Sequence, residues 1–213
     1  MTYGAVEQAA LVHHLEIFGG FHPKPADGLP HDVKTLLLFG PSEPGFWTYF
    51  TATSEYRDGG HDPMDRWSAR VLEDLSNDLD ARAYFPFGGP PFQPFIAWAQ
   101  ATGRAHASPI SMLVHDVAGL FVSYRGALAF DHILDLPATT TSPCETCAGQ
   151  PCTSACPVDA LGAHYDVPTC KSELERAGNA CMDQGCAARR ACPVSQNYGR
   201  MAEQSAFHME YFK

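Results

Sequence analysis

The sequence predicts an α+β chain in two parts, a mixed helix-and-strand domain over residues 1–137 followed by a small, loop-rich module over residues 138–213. Three observations carry that expectation. Upstream, apolar residues recur at helical spacing in some stretches and in short continuous runs closed by Gly or Pro in others. The polar run Ala138-Thr139-Thr140-Thr141-Ser142-Pro143 then breaks the apolar pattern. Beyond it lie all eight cysteines, from Cys144 to Cys192, with none in residues 1–143.

At 213 residues the chain is long enough for one domain plus a module and for a substantial core. Hydrophobic residues at 45% and charged ones at 18% describe an ordinary globular protein. The formal net charge of -10 argues against nucleic acid or an anionic membrane surface as partner and suits a redox protein with a basic docking face. No apolar run approaches the ~18 residues of a membrane span. Met1 to Glu7 shows no basic stretch leading into an apolar one, and together with thiols that are unpaired or metal-bound this predicts a cytoplasmic protein.

In chain order, Ala5, Ala9, Leu11, Val12, Leu15 and Ile17 stand near helical spacing and predict a helix over 2–17, leading into a turn at Phe18 to Pro23 and a Pro/Gly-rich loop to Asp32. Thr35 to Phe39, stopped by Gly40-Pro41, reads as a buried strand, and Gly45 to Phe50 as a helix. Asp62 as cap, Pro63 in the first turn and the stripe Trp67, Val71, Leu72, Leu75, Leu79 predict a second helix ending near Asp80. Ala83 to Phe87 is strand-like, and Phe92 to Thr102 is helical around Phe95, Ile96, Trp98 and Ala99. Met112 to Val114 and Gly119 to Tyr124 are further apolar runs, the second expected to be a strand buried on both faces. In the module, short helices are expected after Pro157, after Pro168 and around Gly185 to Ala191, with an apolar tail from Tyr198 to Phe212 packing back.

The thiols form two groups that each close with Cys-Pro: Cys144, Cys147, Cys152, Cys156-Pro157 (C-x2-C-x4-C-x3-C-P) and Cys170, Cys181, Cys186, Cys192-Pro193 (C-x10-C-x4-C-x5-C-P). Two-cluster ferredoxins hold [4Fe-4S] centres with C-x2-C-x2-C-x3-C-P runs whose fourth Cys ligates the other cluster. Here the gap before Cys152 is two residues longer, in a loop with Gly149 and Pro151 that can absorb them. The Cys-Pro endings and the count of two fours favour two [4Fe-4S] clusters as cofactors. A disulfide framework, two four-cysteine zinc sites, or one cluster with spare thiols are the competing uses.

The module resembles that of the epoxyqueuosine reductases and, through them, the cobalamin-binding reductive dehalogenases. Cys144 to Cys156-Pro157-Val158-Asp159-Ala160-Leu161 is similar to the family's first cysteine run and the helix after it, Thr169-Cys170 to its isolated fifth cysteine, and Cys181, Cys186, Cys192-Pro193 to its closing run. Weaker likenesses lie at Glu55 to Asp62, Ala81 to Phe85 and Leu128 to Leu134. The resemblance implies a nitroreductase-like α/β sandwich ahead of a bis-[4Fe-4S] ferredoxin-like module. It assigns Cys144, Cys147, Cys152 and Cys192 to one cluster and Cys156, Cys170, Cys181 and Cys186 to the other. It also implies a base-off cobalamin. Read from the residues, Tyr56, His61, Phe85, Gly88 and Gly89 are candidates for a corrinoid or small-molecule pocket, with His115 as a further histidine; the Gly88-Gly89-Pro90-Pro91 turn is otherwise a tight connection and the histidines structural or surface residues. One departure stands against the family's own reaction. Phe85-Pro86-Phe87-Gly88-Gly89 has no carboxylate where the family carries a catalytic acid in a Val-Asp-Thr-Gly-like turn, and protonating a leaving oxygen needs a positioned acid. The absence of an Asp-x-His-x-x-Gly run to supply a lower ligand to cobalt agrees with base-off binding and equally with no cobalamin at all. Arg189 and Arg190, between the last two cysteines, would offset cluster charge or form a solvated helix face. The expectation is therefore an iron-sulfur protein, an oxidoreductase or a part of one, relaying single electrons to a site in the first domain. A ferredoxin-like carrier without a substrate site and a zinc-stabilised binding module are the alternatives.

Overall fold

The structure, a computed structural model, describes residues 1–213. In chain order its elements are α1 (Tyr3–Leu11), β1 (Leu15–Phe21), β2 (Thr35–Pro41), α2 (Phe46–Thr51), α3 (Ser54–Arg57), α4 (Pro63–Asp78), β3 (Arg82–Tyr84), α5 (Phe95–Ala101), β4 (Ala105–Ala107), β5 (Leu113–His115), β6 (Gly126–Phe130), α6 (Val167–Leu174), α7 (Ala180–Gln184), α8 (Ala187–Ala191), α9 (Pro193–Asn197) and α10 (Ala202–Phe212). Mixed helix and strand is the class expected. The chain divides into two compact units, Met1–Arg104 with Ser123–Thr140, and Ala105–Val122 with Thr141–Lys213. The sequence places a single boundary near 137; the structure puts one at 140/141 and also assigns residues 105–122 to the second unit.

The first unit is built on an antiparallel sheet of order β1-β2-β6-β3. All seven residues of β2 and all five of β6 are buried, which is why Thr35 to Phe39 reads as an unbroken apolar run and not as an alternating one. Glycines admit close packing at two points: a Cβ on Gly40 would collide with the Phe18 ring, and one on Gly126 with Leu72 of α4. The helix α4 packs its Trp67, Val71, Leu72 and Leu75 inward. Trp67 meets Phe46 and Phe50 edge-to-face at 5.3 and 5.8 Å between centroids, forming with Tyr49 an aromatic core. Trp98 of α5 is buried, packs on Tyr84 and donates its indole N–H to the Asp27 carbonyl.

Several elements differ from expectation. The helix expected over 2–17 stops at Leu11; His14 adopts a left-handed φ of 53° and the chain turns into β1. Leu15 and Ile17 are strand residues paired with Pro41 and Phe39, and the Phe18 to Phe21 stretch is strand with a bulge at Phe18, between Ile17 and Gly19, not a turn. Their helical spacing is overridden by sheet pairing. Asp62 occupies the position before α4, but with φ 46° and no side-chain cap bond. Of the apolar residues of α5, Phe95, Trp98 and Ala99 are buried and Ile96 is 68% exposed. Strand β6 carries the centre of the sheet, yet Gly-Ala-Leu-Ala-Phe has no β-branched residue to announce it.

In the second unit β4 pairs with β5 as a short antiparallel hairpin, and the expected strand Gly119 to Tyr124 is a series of turns. Side chains substitute for a ladder there: the Leu120 amide donates to Ser195 Oγ at 2.8 Å, and Arg200 donates to the Phe121 carbonyl at 3.0 Å. Val158 to Leu161 forms a turn with an isolated bridge from Leu161 to Tyr165, not the expected helix. Helices do follow near Pro168 (α6) and Gly185 (α8), and α10 lies against α7 and brings Phe212 onto Tyr165. No helix is long and apolar enough to cross a membrane.

Trp67→Ala removes the centre of the aromatic cluster from a site with no exposure, and its unfolding free energy in urea should fall by about 3–5 kcal/mol. A second prediction concerns acid stability. Arg70 donates to both carboxylate oxygens of the buried Glu55 and holds its carboxyl at about 2, against an ordinary 4.5. Because the folded value is the lower, the pair stabilises the fold above pH 4.5 and that contribution disappears as pH falls towards 2. Arg70 is half-exposed, so water screens the pair: Glu55→Gln should cost about 1 kcal/mol at pH 7 and flatten the decline in stability between pH 4.5 and 2, as read by denaturation across that range.

Candidate metal centres

The eight thiols come from loops and helix ends of the second unit. Cys144 and Cys147 sit in turns after the polar linker, and Cys152 in a single 3-10 turn started by Pro151. Cys170 is on α6, Cys181 on α7, Cys186 caps α8, and Cys192 is the hinge residue from which Pro193 starts α9. Proline after Cys156 and Cys192 removes a backbone donor where the chain must change direction.

These positions close into two groups. Cys144, Cys147, Cys152 and Cys192 line one cavity of about 340 Å³, walled by Val114, Leu120 and Val194 among others. Cys156, Cys170, Cys181 and Cys186 line a tighter hollow of about 20 Å³, closed by Leu161, Leu174 and Met209 of α10. Each group exchanges one member across the sequence: Cys192 leaves its own run for the first group, and Cys156 leaves its run for the second. This is the division of thiols that the family resemblance implies.

The electrostatics follow the same division. Burial raises the Cys144 and Cys152 thiols above their ordinary value, and among the charges that raise them further are Cys192 and Cys147. Burial likewise raises Cys170 and Cys181, each raised further by Cys186 and Cys156. Burial and the neighbouring thiols thus disfavour the thiolate form at Cys144, Cys152, Cys170 and Cys181. No three His, Cys, Asp or Glu side chains approach closely enough to hold one metal ion.

Other groups reach the second set of sulfurs. The Tyr165 hydroxyl donates to Cys170 Sγ at 3.4 Å and the Ala160 amide to Cys156 Sγ at 3.3 Å. The Ala187 amide and the Arg190 charge both favour the Cys181 thiolate. Arg190 is anchored by the Gly185 carbonyl and Gln184 Oε1, so its position beside the thiols is fixed and it is not simply a solvated side chain. Arg189 acts on Tyr165. At the first set, Ser142 favours the Cys144 thiolate. Tyr165 and Ser142 escape detection in the sequence because neither belongs to the cysteine pattern; a tyrosine five residues before Cys170 is their only trace.

The residues expected at a corrinoid are placed differently. Tyr56 on α3 packs edge-to-face on Trp47 and Phe50, in the aromatic core. His61 is exposed in the turn before α4, where its carbonyl accepts from Arg66. Phe85 stacks on Phe87 at 5.2 Å, Gly88 is open to solvent with φ 80°, and Gly89 lies against Phe92. His115 belongs to the second unit, fully buried, where its Nδ1 accepts the amides of Val117 and Ala118 and so secures a turn. The structure thus gathers the eight cysteines and leaves Tyr56 and His61 on one segment and Phe85, Gly88 and Gly89 on another.

No family model matches the chain, and neither the curated proteins nor the solved structures contain a match to it.

Proposed function

We propose that the second unit holds two [4Fe-4S] clusters and that the protein relays single electrons through them. The observation that carries this reading is the closure of eight thiols into two separate fours that cross the sequence order, each around its own apolar hollow. The donor set fits: all-thiolate sites of four cysteines are what such clusters require, and nothing is left over. Bound there, each cluster would accept and pass on one electron, and the chemistry belongs to iron and sulfide. The protein's part is to hold eight sulfurs, exclude water with Val114, Leu120, Leu161, Leu174 and Met209, and offset thiolate charge with Arg190 and the Tyr165 hydroxyl. The Phe85 to Gly89 turn has no carboxylate to protonate a leaving oxygen, so we assign electron transfer and not epoxyqueuosine reduction.

Anaerobic reconstitution followed by iron and sulfide counting should give about eight irons per chain; fewer than about four, or stoichiometric zinc, would overturn the reading. Paired substitutions test the crossing directly. Cys144→Ser/Cys192→Ser should keep about four irons, since both thiols serve one group, whereas Cys144→Ser/Cys156→Ser should lose nearly all. Grouping by sequence run predicts the reverse order.

The hydrogen bond to Cys170 Sγ favours the more negative, reduced cluster. Tyr165→Phe should therefore lower the midpoint potential of the cluster held by Cys170 by about 60 mV, a tenfold change in a one-electron equilibrium, and leave the other unmoved in an anaerobic titration followed by electron paramagnetic resonance.

A further inference from the structure

The first unit contains a groove that the electron-relay reading does not use. Its volume is about 330 Å³, and it is formed by the loop from His22 to Lys34 together with Ile133. Every titratable side chain that lines it is basic: His22, Lys24, His31 and Lys34. The remaining walls are apolar, from Leu29, Val33, Ile133 and three prolines. The chain has a net charge of -10 and four lysines in all, Lys24, Lys34, Lys171 and Lys213, so half of its lysines stand at this one place.

The carboxylates of the same loop are engaged elsewhere. Asp27 accepts the Lys24 backbone amide at 2.7 Å, and Asp32 is ion-paired with Arg82 at 2.9 Å. Asp131, near Ile133, is paired with His132. Neither Lys24 nor Lys34 forms an ion pair at contact distance; the Lys34 ammonium donates to the His31 carbonyl at 3.0 Å, and its charge acts on Asp32 only at longer range, as the lesser partner beside Arg82. An ammonium has three donors, so two remain for a ligand. His22 is fixed by a contact of Nε2 with the Leu134 carbonyl at 3.1 Å, which directs its other ring nitrogen away from that bond.

We propose that this groove binds a small organic anion, with a phosphate or carboxylate held between Lys24 and Lys34 and an apolar body against Leu29 and Ile133. Its volume lies in the range of small-molecule sites. Compact ammonium charges suit phosphate oxygens, and Ile133, 69% exposed, offers apolar surface that water alone does not favour. A polyanion such as nucleic acid would be repelled by the chain's overall charge, which a small anion largely escapes.

The site is tested by titrating the full-length isotope-labelled protein with phenyl phosphate, benzoate and inorganic phosphate and following backbone amide resonances. Phenyl phosphate or benzoate should shift the amides of Lys24, His31 and Lys34 saturably, and whichever binds more tightly identifies the head group. Lys24→Ala/Lys34→Ala should weaken that binding at least tenfold with the fold intact by its spectrum, and Ile133→Glu should weaken it similarly. Absence of saturable shifts with both organic probes, or undiminished binding by the double lysine variant, would overturn the proposal. Inorganic phosphate binding as tightly as phenyl phosphate would overturn the role given to the apolar wall.

Discussion

Cys156 and Cys192 each close a sequence run and each serve the other run's group, and this exchange constrains the whole second unit. With Cys156 drawn to α6, α7 and the start of α8, and Cys192 drawn back to the turns at Cys144 to Cys152, neither thiol group can assemble without the chain that contains the other. Short helices of five to eight residues are too brief to be stable alone; they persist because thiol-bearing ends and a shared apolar backing, Ile110, Val114, Leu120, Leu161 and Ala188, hold them. Burial raises the Cys144, Cys152, Cys170 and Cys181 thiols towards their neutral form. The clusters proposed for these hollows would supply positive charge to thiolates, and their binding free energy would in large part be folding free energy for this unit.

The first unit rests on a different constraint. Its two central strands are buried on both faces and packed closely by the neighbouring strand and helix, which is why a Cβ at Gly40 would collide with Phe18 of β1 and one at Gly126 with Leu72 of α4. Ion pairs such as Glu55 with Arg70 and Asp58 with Arg66 then fix the α3–α4 connection from outside the core.

The legibility of these features follows from where their causes lie. The cysteine pattern, the α4 stripe and β2 could be read because local residue identity determines them. Two facts could not: β1 takes residues at helical spacing into a strand because β2 offers it hydrogen bonds, and Gly119 to Tyr124 loses strand form because Ser195 and Arg200, some 75 to 79 residues away, supply partners for its backbone. Strand β6 is hidden for the opposite reason. Small residues suit a central strand packed under α4, yet they carry little strand preference of their own. The partner of Cys170 is hidden likewise, since a Tyr165 hydroxyl reaching sulfur depends on the bridge between Leu161 and Tyr165 and on the stacking of Phe212 from α10.

In an acidic chain, the cations bonded only to neutral groups are informative. Arg66, Arg70, Arg82 and Arg125 each face a carboxylate and are neutralised in the fold. Arg190 is held by a carbonyl and an amide oxygen, and Lys34 by a carbonyl, so the hydrogen bonds that position both go to neutral acceptors. Fixing a cation with neutral acceptors forgoes the Coulomb gain of an ion pair and preserves its field for another anion. At Arg190 that anion is the Cys181 thiolate. Lys34 has only the more distant Asp32, itself bonded to Arg82, and the groove beside it has the size and the apolar walls to admit a further anion from solution.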